Sequence, residues 1–88
     1  MKTVVIGEGA GRTMEEIMQV YPRHKVVADA FIARGVVLGI GPLLNGGNLA
    51  IFKTREAAEE FVKVDPFILE GLVKAYTLTD WKDNLLPD

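Results

Sequence analysis

Apolar residues along this chain fall into alternating short blocks with two different spacings. Val4-Val5-Ile6 is a brief β-branched run closed by Gly7, and it reads as a first strand over residues 2–7. Thr13-Met14-Glu15-Glu16 has the form of a capping box, and Met14, Ile17 and Met18 follow it at helical spacing. Pro22 disfavours helical geometry at Tyr21 and suits the first position of a new helix. The expectation is therefore a broken helical segment, 14–20 and then 22–34, stopped at Gly35. On the second piece His24, Val27, Ala28 and Phe31 share one face, which puts His24 in a first turn at the end of a core-facing stripe.

The second half repeats the alternation. Residues 36–40 read as strand two and residues 49–52 as strand three, with Asn45-Gly46 as the hairpin signal between them. Gly41-Pro42 marks an edge or a bulge, because proline cannot donate to a central ladder. Thr54 caps a helix whose apolar stripe is Ala57, Ala58, Phe61 and Val62. Asp65-Pro66 resets the chain: Asp65 as N-cap, Pro66 as the first residue of one turn running through Glu70, and Gly71 as its stop. Residues 72–81 form strand four, and 84–88 a tail apolar enough to lie on a partner subunit.

The order is β-α-β-β-α-β, the ferredoxin-like α+β pattern, expected as one domain over residues 1–88. Two helices would cover one face of a four-stranded antiparallel sheet. Strands one to three are apolar at nearly every position, so the other face also needs cover. The same sheet of a second subunit supplies it, which points to a homodimer or a higher assembly.

Composition narrows the chemistry. The chain has no cysteine and one histidine, which argues against disulfides, thiolate zinc and a cysteine nucleophile. It contains no serine, so a serine–histidine–aspartate hydrolase is excluded. The net charge of −2 is spread without a basic stripe, so no nucleic-acid partner is expected. No apolar run approaches the length of a membrane span, and the first eight residues read as a strand rather than a signal peptide, so the expected location is the cytoplasm. Gly7-Glu8-Gly9-Ala10-Gly11 follows a strand, but Arg12 stands where a dinucleotide fingerprint needs glycine; the stretch reads as a flexible loop, and no cofactor is expected.

His24 and Asp65 are the residues with chemistry. Each also has a plain structural reading: His24 as a half-buried side chain satisfied locally, Asp65 as a helix cap. Together they could form a base and its orienting carboxylate, since a neutral imidazole takes protons near pH 7 and a carboxylate on its other nitrogen fixes the tautomer.

The ordered set Pro22-Arg23-His24, Gly35, Gly41-Pro42, Ala57-Ala58, Asp65-Pro66-Phe67 with Gly71, and Trp81 resembles the YCII (YciI-like) family over nearly the whole chain. The connection after Gly41-Pro42 is shorter than the glycine-rich loop of many members. The resemblance implies a dimeric α/β-barrel of two ferredoxin-like subunits and a histidine–aspartate pair in a cleft, here His24 and Asp65. It also implies chemistry of the kind known in the family, elimination of chloride from a chlorinated hydroxyquinol. On that reading Arg23, Pro42 and Phe67 are pocket-wall or anion-binding residues, and the ligand is a small metabolite, aromatic or phenolic. The other readings are a dimeric small-molecule-binding or accessory module without turnover, and a structural dimer in which His24 and Asp65 only stitch helix to loop.

Overall fold

The computed structural model describes residues 1–44 and 46–84. Its elements are β1 (Lys2–Gly9), α1 (Met14–Ala33), β2 (Val37–Pro42), β3 (Asn48–Phe52), α2 (Arg55–Val62), α3 (Pro66–Leu69) and β4 (Val73–Trp81). The strands form one antiparallel sheet in the order β2-β3-β1-β4. This is the ferredoxin-like arrangement expected from the sequence.

Alternation along β1 and β3 sorts the sheet into two faces. Val5, Ala50 and Phe52 meet Ala28 and Phe31 of α1 and Ala57, Ala58, Phe61 and Val62 of α2 in the buried core. The rings of Phe31, Phe52 and Phe61 close its centre, with Phe31 edge-on to Phe61 at 5.3 Å and Phe52 tilted against Phe61 at 5.2 Å. The opposite face carries Val4, Ile6, Leu49 and Ile51 beside Thr79 and Trp81. Ile6 there is 45 % exposed, and no element among the described residues covers it.

Local signals set most of the boundaries. The capping box at Thr13 forms as expected: the Glu16 amide donates to the Thr13 hydroxyl oxygen, and the Glu16 carboxylate accepts from the Thr13 amide. The bond from the Thr13 amide, and then the one from Arg12, hold the Glu16 carboxyl below the usual carboxylate range. Gly35 ends α1 at φ +76°, a conformation that favours glycine. Pro42 sits at the end of edge strand β2, where its missing N–H is harmless.

The structure corrects two sequence expectations. The helix is not broken at Pro22: α1 runs through it as one 20-residue helix. Pro22 and Met18 both lie on the exposed side of α1. The carbonyl of Met18, deprived of its intrahelical donor, can therefore bond to water. His24 consequently lies in the helix interior, not in a first turn. The glycine stretch is also not a loop from Gly7 onward. β1 continues to Gly9, paired with β4 as far as Val73, with a register shift between Glu8 and Gly9. Asn45 of the expected hairpin turn and residues 85–88 of the tail lie outside the described residues.

Candidate active site

His24 projects from the middle of α1 toward the junction between α2 and α3. Its Nδ1 lies 2.7 Å from Asp65 Oδ1. That oxygen also accepts the amide of Phe67 at 3.1 Å, so a single carboxylate oxygen caps α3 and binds the imidazole. The backbone fixes Asp65 in turn, because its amide donates to the Phe61 carbonyl at 3.0 Å. The Asp65 side chain is 5 % exposed and that of His24 14 %. The Asp65–Pro66 pairing that reads as a helix start in the sequence is thus also what aims the carboxylate.

The imidazole is held on its faces as well. The Phe67 ring lies nearly parallel to it, with centroids 4.1 Å apart and an 11° tilt. Phe61 approaches edge-on at 6.4 Å, and Tyr21, one turn earlier in α1, stands 6.1 Å away. With Nδ1 engaged and one face covered, the ring has a defined rotamer, and Nε2 has no partner among the described residues.

His24 and Asp65 line a cavity of about 490 Å³ between the sheet and the helices. Its sheet side is built in rows. Pro42, Asn48, Gly7 and Tyr76 stand in register across the four strands, and Ile40, Ala50 and Val5 form the next row. Met14, Ile17 and Tyr21 of α1 and Phe67 and Ile68 of α3 close the helix side. The volume suits a small ligand.

Of the residues singled out in the sequence, His24, Asp65, Pro42 and Phe67 all line this cavity. Arg23 does not. Its guanidinium turns outward and pairs with Glu70, the C-cap of α3, through both of its terminal nitrogens. That bond raises the guanidinium above its ordinary pKa. The pair ties α3 to α1 on the outer side, behind the contact of Phe67 with His24. Sequence reading missed Tyr21, Asn48 and Tyr76. Tyr21 could have been found at three residues before His24 on the same helical face. Among the described residues, no three His, Asp or Glu side chains group closely enough to hold a metal ion.

Comparison with solved structures finds a neighbour for the fold. The chain superimposes on a bacterial dehydrochlorinase. That protein is 5-chloro-2-hydroxyhydroquinone dehydrochlorinase (TftG) from Burkholderia phenoliruptrix AC1100, in complex with 2,5-dihydroxybenzoquinone. The TM-score is 0.79 with 19 % sequence identity, and the match covers 96 % of each chain. At that identity the likeness establishes the shared fold. No protein-family model matches the chain, and no curated protein matches it. No helix among the described residues is long and apolar enough to cross a membrane.

Proposed function

We propose that this chain is a cofactor-free proton-transfer enzyme, of the lyase or isomerase type, that acts on a small phenolic or otherwise enolisable metabolite. The observation that carries this reading is the 2.7 Å contact between His24 Nδ1 and Asp65 Oδ1 at the wall of a ligand-sized cavity. His24 is the general acid/base and Asp65 its orienting partner. The carboxylate keeps the proton of the neutral ring on Nδ1 and presents Nε2 as the base. The likeness to a dehydrochlorinase and the resemblance to the YCII family support elimination as the reaction.

For a halogenated hydroquinol the step balances with one imidazole. Nε2 takes a hydroxyl proton and returns it to the ring carbon that bears the halogen, while the oxygen electrons form a carbonyl. Nε2, bare again, takes the proton of a second hydroxyl, whose oxygen electrons drive out halide, and the net loss is one hydrogen halide. An isomerisation would stop after the first proton return. The stacked Phe67 ring holds the imidazole in place through both transfers.

The working form is a homodimer joined through the open sheet face. Val4, Ile6, Leu49 and Ile51 present an apolar surface that an 88-residue chain gains by burying. Pairing two such sheets is the dimeric α/β-barrel arrangement that the sequence resemblance implies.

The test is His24→Ala and His24→Gln, assayed against halogenated hydroquinols by halide release and by loss of the phenolic absorbance. Turnover should fall by at least about a hundredfold while circular dichroism and the dimer mass stay unchanged. Binding that weakens with no turnover in wild type to lose would mean a binding module. Stability that falls with binding unaffected would mean a structural pair.

A further inference from the structure

Beside Tyr76, the sheet wall of the cavity carries one more polar side chain. Asn48 opens β3 and lies in the row Pro42–Asn48–Gly7–Tyr76, on the same face of the sheet as Ala50 and Val5. Its carboxamide lines an otherwise largely apolar stretch of cavity and makes no hydrogen bond among the described residues. An asparagine kept for turn geometry would spend its side chain on the backbone, as Asp65 and Thr54 do. This one is left with free donors and a free acceptor.

The neighbouring strand makes room for it. A Cβ on Gly7 would stand 2.3 Å from Asn48 Oδ1 and 3.1 Å from Val73 Cγ1. Gly7 has no positive φ that would call for glycine. What the position needs is the space, and Asn48 occupies it. A polar group in an apolar cavity is worth placing only if something bonds to it there.

We infer that Asn48 is a specificity-determining residue: its carboxamide, seated over Gly7, hydrogen-bonds a second oxygen function of the ligand whose first oxygen meets His24. This rests on the cavity being the ligand site proposed above. It narrows the substrate class to compounds carrying two oxygen functions on one small scaffold, and it gives Gly7 a role in ligand choice.

The experiment is an NMR titration of the intact protein, following the ring protons of its single histidine. The probes are phenol, which has one oxygen, and catechol, resorcinol and hydroquinone under argon, which have two. At least one diol should bind about tenfold more tightly than phenol, the contribution of one hydrogen bond. Asn48→Leu should abolish that preference while leaving phenol affinity within about twofold. Gly7→Ala should do the same with Asn48 still present, because the new methyl displaces the carboxamide. If all diols bind no better than phenol, or if Asn48→Leu weakens phenol and diols alike, the assignment of Asn48 is overturned and the histidine site stands. If no probe moves the His24 resonances, the site reading and this inference both fall.

Discussion

Removing the Asp65 side chain should damage the protein in a way that removing its charge does not. In Asp65→Ala the Phe67 amide loses its cap, which costs about 1 kcal/mol at a typical N-cap. The His24 Nδ1 loses its partner at a site where the ring is 14 % exposed, so water reaches it poorly. An unsatisfied buried polar group costs about 1–3 kcal/mol. Together the loss should be about 2–4 kcal/mol, a large part of what so short a chain has. Asp65→Asn keeps an oxygen that can accept from both Phe67 and His24 in the same geometry. Its loss should stay below about 1 kcal/mol, since asparagine caps as well as aspartate. The assay is urea unfolding followed by circular dichroism, at one fixed protein concentration because the proposed dimerisation would enter the apparent stability. Equal losses in the two variants would refute the double role of that carboxylate oxygen.

Other consequences follow from the same structure. The Asp80 carboxyl is held below the usual range, first by its bond from Arg55 and then by the Thr3 hydroxyl. A carboxylate lowered by folding stabilises above its unfolded pKa, near pH 4, and that contribution is lost as pH falls from there through the folded value. Arg55→Met should therefore flatten the acid limb of the stability–pH curve and leave its shape near neutrality unchanged, as read by thermal midpoints from pH 2 to 7. Pro22→Ala returns a donor to the middle of α1 and should raise stability by about 1–3 kcal/mol in urea unfolding; no gain would mean that packing has already absorbed the defect. Ile6→Glu or Ile51→Glu on the open sheet face should convert the proposed dimer to monomer in light scattering, and an unchanged mass would remove that face as the interface.

Much of this was legible in the chain because the decisive signals are local. The Thr13–Glu16 box, the Thr54 cap, the Asp65–Pro66 start and Gly35 each act within a few residues, and each sets a boundary in the structure. Pro22 misled for the opposite reason. Its local preference is outweighed because packed residues lie on both sides of it, Val20 before and Ala28 and Phe31 after. A continuous helix serves all three. Gly7 and Gly9 look like loop residues in isolation, yet β1 is paired on both edges, with β3 to Gly7 and with β4 to Gly9, and long-range pairing extends it. Arg23 is polar and next to the histidine in sequence, but neighbours on a helix point about 100° apart, so it faces Glu70 instead of the cavity. Asn48 shares the inward alternation of Ala50 and Phe52, but the glycine forty-one positions earlier whose missing side chain it fills comes beside it only through strand pairing.

The most direct test of the central claim is the tautomeric state of the one histidine, read from the ¹⁵N shifts of its ring at a pH where it is neutral. The proton should sit on Nδ1, donated to Asp65, with Nε2 bare and ready to accept a proton from a ligand. In Asp65→Ala the ring should revert to a mixture of tautomers. A wild-type ring protonated on Nε2, or one that exchanges freely between the two forms, would contradict the pairing and the chemistry built on it.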